Sequence, residues 1–312
     1  MKVLVTGGAG FIGSWLVGKL IGKSNKVIVV DNLSTGKKEN LNEKAVFYDL
    51  DITNNEMLDE VFKIEKPEIV LHLAANPMLR KSLENPIYDA NVNILGTISV
   101  LECCRKNNVK KIIYTSTGGA RVGEPEYLPV DENHPINPSS PYGISKHSAE
   151  HYIWTYNQLY NLDYLIFCFG NVYGPKDDPN TNRLIPLFID KIIKREIPKI
   201  FGDGNQTRDF IFVIDLADFI IESMNKYPKH KLFHLANGKQ ISVNEISKLL
   251  KEISNSDIEF EHIEAIKGEV RDIVLDISLA KKELGWNPKT DIEKGLRETW
   301  NWFQKNKKSS IY

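Results

Sequence analysis

Thr6-Gly7-Gly8-Ala9-Gly10-Phe11-Ile12-Gly13 carries the strongest architectural signal near the start of this chain. Gly8, Gly10 and Gly13 make a G-x-G-x-x-G, a weak pattern when it stands alone. Here a short β-rich run, residues 2–6, leads into it, and residues 11–22 read as an amphipathic helix behind it, which is the context the pattern needs. Glycines permit a sharp strand-to-helix turn and let backbone N–H groups and the helix N-terminus approach a pyrophosphate. A second β-rich run, residues 26–30, ends at Asp31, eighteen residues beyond Gly13. A carboxylate there accepts hydrogen bonds from adenosine ribose hydroxyls and repels a 2′-phosphate, so the unit favours NAD over NADP.

The rhythm set by this unit continues. Strand-like runs at 45–48, 69–74, 111–115 and 164–169 alternate with helical patterns at 55–64, 87–107 and 141–162. Runs that are nearly all apolar suit a parallel sheet covered on both faces, and the alternation predicts a doubly wound (Rossmann) α/β fold. After Asn171 the pattern breaks, with Gly, Pro, Asn and Asp clustered between Gly174 and Asn182. The reading is an NAD-binding domain over 1–170 and a smaller mixed α/β substrate lobe over 171–312, some of whose segments return to the first domain. In that lobe Ser242, with Glu245 three residues on, forms a capping box for a helix running to Ile253. A final amphipathic helix spans 292–304.

Composition narrows the class of partner. With 42% apolar and 26% charged residues and a formal net charge of −1, the chain is an ordinary globular one with no electrostatic call on nucleic acid or membrane. Cys103, Cys104 and Cys168 show no disulfide framework or metal-ligand spacing, so no metal and a reducing, cytoplasmic setting are expected. Neither a signal peptide nor a membrane-length apolar run is visible.

Tyr142-Gly143-Ile144-Ser145-Lys146 places Tyr142 and Lys146 at i and i+4, on one helix face. Free tyrosine titrates near ~10. A neighbouring ammonium and a cationic nicotinamide both favour the phenolate, so this tyrosine is expected to be tuned downward and to take a hydroxyl proton while hydride leaves the adjoining carbon.

Together with Asp31-Asn32-Leu33-Ser34-Thr35-Gly36 and His72-Leu73-Ala74-Ala75, these motifs resemble the extended short-chain dehydrogenase/reductases. Within them the sequence is most similar to nucleotide-sugar epimerases of the UDP-galactose 4-epimerase type, over essentially the whole chain through Arg208-Asp209-Phe210 and Leu284-Gly285-Trp286. The resemblance implies a cofactor site of Gly7, Gly10, Phe11, Ile12, Gly13, Asp31, Asn32, Ser34, Thr35, Gly36, Asp51, Ile52, Leu73, Ala74, Ala75, Asn91, Thr115, Tyr142 and Lys146. It implies substrate contacts from Asn171, Arg183, Leu184, Phe201, Arg208, Glu269 and Arg271, with Arg208 on the diphosphate of a UDP-sugar. It also implies a homodimer formed through the helices around 87–107 and 141–162.

Two positions depart from the family pattern. The usual Ser or Thr after the fifth strand is replaced by Gly118, leaving Thr117 as first and Ser116 as second candidate to orient the reacting hydroxyl. The usual arginine ahead of Gly268 is Ile266, with Lys267 or Arg271 as substitutes. Gly118-Gly119 also stands where dehydratases and decarboxylases of the superfamily carry acids, so elimination is disfavoured. The expectation is inversion of C4 of a UDP-sugar, UDP-glucose/UDP-galactose first. UDP-glucuronate (with Arg183 on the carboxylate) or a UDP-N-acetylhexosamine, a net dehydrogenase or reductase, and a non-catalytic NAD sensor are the alternatives. Ile273, by family position, is expected at the gate for an N-acetyl group.

Overall fold

Val3, Leu4 and Val5 are fully buried in the first strand, as only a strand covered on both faces allows. Each aliphatic side chain so removed from water contributes about 1.5–3 kcal/mol. The computed structural model describes residues 1–181, 183–265 and 270–308. In chain order the first half contains β1 (Lys2–Thr6), α1 (Phe11–Gly22), β2 (Lys26–Asp31), β3 (Val46–Asp49), α2 (Asn55–Glu65), β4 (Ile69–His72), α3 (Leu79–Glu84), α4 (Pro86–Ala90), α5 (Gly96–Lys106), β5 (Lys111–Thr117), α6 (Gly119–Val122), α7 (Pro141–Tyr160) and β6 (Asp163–Phe169). The second half contains β7 (Asn171–Tyr173), α8 (Leu184–Lys194), β8 (Lys199–Phe201), β9 (Thr207–Arg208), β10 (Phe210–Phe212), α9 (Val213–Ser223), β11 (Leu232–Leu235), β12 (Ile241–Ser242), α10 (Val243–Ser254), β13 (Glu261–Ile263), α11 (Ser278–Leu284) and α12 (Ile292–Lys308).

Seven parallel strands form the main sheet in the order β11-β6-β5-β4-β1-β2-β3. Strand order reverses between β1 and β4, which opens the crevice at the carboxyl ends where ligands of this architecture bind. On one face α1 packs with α9, joining Leu16, Val17 and Leu20 to Leu216, Ala217 and Ile220. On the other face α2, α5 and α7 cover the sheet through Phe62, Leu101 and Ile153. A third core, with Phe188, Phe210, Leu250 and Trp300, holds α8, α10 and α12 around the short strands of the second half.

The helix expected over 87–107 is one rod of two α-helical parts joined by a π-helical turn, Asn91–Leu95. Such a turn takes an extra residue per revolution and moves the side chains after it to a new face. Two of the elements that the sequence reading did not place bear on the site and the sheet. One is the six-residue helix α3; the other is β11, which brings the chain back from the second half to the sheet edge, with Leu232 opposite Ile166. Ser242 Oγ accepts from the Glu245 N–H at 3.1 Å, the N-cap half of the expected capping box, and α10 extends to Ser254.

Candidate active site

The crevice is built first by the glycine turn. A Cβ on Gly13 would lie 2.1 Å from the Gly7 carbonyl oxygen, a contact with backbone that no side-chain adjustment relieves. Gly10 begins α1 in extended conformation with no side-chain cap, so the first-turn N–H groups have no side-chain acceptor. Gly7, Gly10, Phe11, Ile12 and Gly13 line the pocket. Asp31, at the end of β2, accepts from Ala9 N and Leu33 N at 2.9 Å each. Burial pushes its carboxyl above the usual range, while those two N–H bonds pull it back. A cradle with no room for side chains and a carboxylate held at the strand end fit a dinucleotide with a free ribose 2′-hydroxyl.

The pocket continues along Asn32, Ser34, Thr35, Asp51 and Ile52 on one side and Leu73, Ala74 and Ala75 on the other. Asn32 Nδ2 donates to Asp51 Oδ2 at 2.7 Å, and Thr53 donates twice to Asp51 Oδ1. Burial raises the Asp51 pKa, but these donors outweigh it and hold the carboxyl below its ordinary value. Gly36 stands behind the wall; a Cβ there would lie 2.8 Å from Asp31 Oδ1.

His72 braces the ends of β1 and β4. Thr6 Oγ1 accepts from Leu73 N and Ala74 N at 3.2 and 3.1 Å, so its own proton goes to His72 Nδ1 at 2.7 Å. His72 Nε2 then donates to Thr97 Oγ1 at 3.0 Å, which donates onward to Asn93 O. The ring is neutral: burial first, then the charge of Lys146, push its pKa down to about 3.

Asn91 is exposed at the start of the π-helical turn, outside the pocket wall. The turn brings Val92 to the wall and buries Asn93, which bonds to Asn76 N, Asp89 and Ser145. The expectation for Asn91 thus meets a correction, because an extra residue in the turn displaces the face. Asn93, a polar residue among Val92, Ile94 and Leu95, was the available signal.

Tyr142 and Lys146 stand on α7, whose N-cap Ser140 accepts from Gly143 N at 3.2 Å. Helix α3 secures the entry, with Tyr142 N donating to Ser82 Oγ. Both side chains line the pocket together with Thr115 and Ser116. From the protein's own groups, burial, then Asp89, push the Tyr142 pKa up to about 12, against the opposing charge of Arg183; the expected lowering also draws on the charge of the nicotinamide. Lys146 is buried, and its ammonium lies 4.1 Å from the centroid of the Tyr114 ring. Burial takes its own pKa down to about 7, so it brings the phenol less positive charge than a free lysine would.

Thr117 is outside the pocket wall; its Oγ1 accepts from Ala120 N at 3.3 Å. Ser116, the second candidate, lines the pocket, with its Oγ donating to Glu150 Oε1 at 2.5 Å. A side chain at Gly118 would meet Leu275, since a Cβ there would lie 2.3 Å from Leu275 Cδ1. Ile273, expected at a gate, is buried with Val122, Val130, Ala236 and Leu275.

Arg183 reaches the cofactor end of the pocket. Its guanidinium donates through Nε to Asp177 Oδ1 at 2.9 Å, also contacts that oxygen through Nη2, and lies 5.2 Å from the Phe11 ring centroid. Phe201 meets Arg80 of α3 across the cleft at 5.6 Å. Arg208 Nη1 donates to the carbonyls of Thr207 and Arg271, which brings Arg208 and Arg271 together, while Arg271 pairs with Asp203 at 3.5 Å. Asn171 is exposed on β7, and Leu184 packs against the third core. Glu269, Ile266 and Lys267 lie outside the described residues. Among the described residues no group of three or more His, Cys, Asp or Glu is placed to hold a metal ion. No helix among them is long and apolar enough to cross a membrane.

A glycine-cradled pocket with an acidic strand end and a Tyr–Lys pair on its wall defines a dinucleotide-dependent enzyme of the short-chain dehydrogenase/reductase type. Residues 3–236 match the NAD dependent epimerase/dehydratase family, and the chain belongs to it. The chain is 47% identical over 308 residues to a putative UDP-glucose 4-epimerase of Methanocaldococcus jannaschii, covering 98% of this chain and 100% of that one. A crystal structure of UDP-glucose 4-epimerase with UDP-glucose from Thermotoga maritima superposes with a TM-score of 0.96 at 42% identity, covering 98% of this chain and 99% of that one. The UDP-glucose 4-epimerase of Thermus thermophilus in complex with NAD gives a TM-score of 0.92 at 33% identity, covering 97% and 99%.

Proposed function

We propose that this protein is an NAD-dependent epimerase that inverts C4 of a UDP-sugar through a transient 4-keto intermediate, with UDP-glucose and UDP-galactose as the substrate pair. The observation that carries this reading is one pocket lined at once by the glycine turn, Asp31, Ser116, Tyr142 and Lys146, with no acid at Gly118-Gly119 to drive elimination. Its relatives of that name, similar over nearly the whole chain, support the choice of sugar.

When bound, NAD supplies the hydride acceptor, and afterwards the donor, for one carbon of the sugar. Tyr142 Oη moves the proton of the hydroxyl oxygen on that carbon, outward during oxidation and back during reduction. Its raised pKa keeps the phenol protonated, so the proton that returns to the ketone oxygen is held in place at Oη. Its work as a base calls for positive charge beyond what the protein itself places there. Lys146 contributes part of that charge from the same helix face. Ser116 offers a second polar contact to the reacting oxygen. Arg208 and Arg271, on neighbouring segments of the second half, are suited to the diphosphate, and Phe201 gives a flat apolar surface for the base. Arg183 is already engaged by Asp177, which weighs against an acidic sugar.

The reading extends to a homodimer. Helices α4 and α7 and the π-helical turn pack side by side, yet Ile87 is 82% exposed, Leu95 55%, Ile144 51% and Trp154 52%. An apolar surface of this kind marks a protein partner, and a second copy fits it. The decisive experiment incubates the purified protein with UDP-glucose, and separately with UDP-galactose, without added NAD. Interconversion by co-purified cofactor is expected. Accumulation of reduced cofactor with no interconversion of any UDP-sugar would overturn the reading.

A further inference from the structure

Ser116 is tied from behind the pocket wall. Its Oγ donates to Glu150 Oε1 at 2.5 Å, and Glu150 is only 5% exposed. The other carboxylate oxygen, Oε2, receives Arg121 Nη2 at 3.1 Å and His147 Nδ1 at 2.9 Å. Cys168 Sγ lies 3.8 Å from Oε1, and Arg121 Nε is buried with no hydrogen-bond partner among the described residues. A buried ion pair costs desolvation that its own attraction repays only with excellent geometry, so stability is a weak reason for placing one beneath an active site. Glu150 also lies one helical turn beyond Lys146, on the same face of α7.

We propose that Glu150 is a positioning residue of this site. Braced by Arg121 and His147, it fixes the Ser116 hydroxyl as a hydrogen-bond acceptor toward the pocket and stands behind Lys146 as its counter-charge. With its proton committed to Glu150, Ser116 has only lone pairs to offer the pocket. It therefore receives an O–H or N–H and cannot donate to a ketone oxygen, which leaves that donation to Tyr142.

The groups around Lys146 leave Glu150 as the chief charge. Tyr114 of β5 offers its ring face, and its hydroxyl, like the Cys168 thiol of β6, is held neutral by burial. His72 of β4 is neutral near pH 7. Asp89 of α4 is engaged by Asn76, Asn93 and Ser145. Tyr142, one turn before Lys146, is a neutral phenol. Burial drives Lys146 toward neutrality, and Glu150 is the largest charge opposing it. Glu150 itself is kept ionised, because His147, Arg121 and Ser116 outweigh the effect of its burial.

The proposal rests on the assignment of Tyr142 and Lys146 to catalysis, so its test reads Lys146 directly, without substrate. Competitive labelling with acetic anhydride across a pH series, followed by mass spectrometry, gives the titration midpoint of Lys146 in the purified holoprotein. Glu150→Gln, with co-purified cofactor at native stoichiometry as the check of folding, is expected to lower that midpoint by roughly one pH unit or more. It should also move the alkaline limb of the kcat profile to lower pH. Glu150→Asp keeps the charge but withdraws it from Ser116, so the midpoint stays near the native one while kcat falls severalfold. An unchanged midpoint in Glu150→Gln with activity lost equally at every pH, a displaced midpoint in Glu150→Asp, or native kcat in Glu150→Asp would each overturn it. Should the protein interconvert no sugar, the labelling result still decides the role of Glu150.

Discussion

Gly118→Ala tests whether packing, rather than chemistry, excludes a side chain after the fifth strand. Gly118 has φ −74° and ψ −50°, a conformation alanine adopts freely. The added Cβ would nevertheless lie 2.3 Å from Leu275 Cδ1 and 2.9 Å from Cδ2, against the ~3.5–4.0 Å of a normal carbon contact. Leu275 has little room to yield. It is 1% exposed among Val122, Val130, Ala236 and Ile273, and its N–H is held by Asp209 Oδ2 at 3.2 Å. Overpacking of this kind costs about 1–3 kcal/mol, offset in part by the ~0.4–1 kcal/mol that alanine gains through the unfolded chain. Leu275→Ala alone should cost ~2–5 kcal/mol by opening a cavity. In that background the same Gly118→Ala change meets no obstacle and becomes neutral or mildly stabilising. Urea unfolding of the four proteins at one fixed, saturating cofactor concentration measures the cycle, and a coupling of ~1–3 kcal/mol is expected. Simple additivity of the two substitutions would refute the packing account of Gly118.

Tyr142→Phe should retain cofactor and lose ~10²–10⁴-fold in kcat; a variant with native activity would remove Tyr142 from the chemistry. Asp31→Ser removes a charged acceptor worth about 1.5–3 kcal/mol, so NAD affinity, measured by fluorescence titration of cofactor-stripped protein, should fall roughly 10–100-fold. NADP should lose less, and equal losses for both would be contrary to the role given to Asp31. The His72 ring should stay neutral, protonated at Nε2, down to about pH 4 in ¹⁵N spectra, since its pKa is about 3 in the folded protein. The unfolded ring protonates near ~6.5, so this residue's contribution to stability is present above that pH and is lost as pH falls toward 3, at up to ~1.4 kcal/mol per unit. A ring titrating near pH 6.5 in the native state would show that the Thr6–His72–Thr97 chain does not hold it neutral.

The cofactor half of this protein is legible in its sequence because the signals are local. The G-x-G-x-x-G turn, Asp31 eighteen residues on and the Tyr142–Lys146 spacing each sit within one element or one turn, so strand and helix periodicity alone place them. The remaining features depend on contacts between segments far apart in the chain. Asn93 rather than Asn91 is buried because a π-helical turn rotates the face, and helical periodicity does not announce such a turn. Ser116 and Thr117 are neighbours on β5 and so point to opposite faces, and the space a side chain would need at Gly118 is taken by Leu275, 157 positions further on. The protein's own groups hold the Tyr142 phenol above its ordinary pKa, because burial and Asp89 act on it through space in a way the i, i+4 spacing does not reveal. Spacing fixes which groups share a helix face, but only the folded chain fixes how much water and how many charges each of them sees.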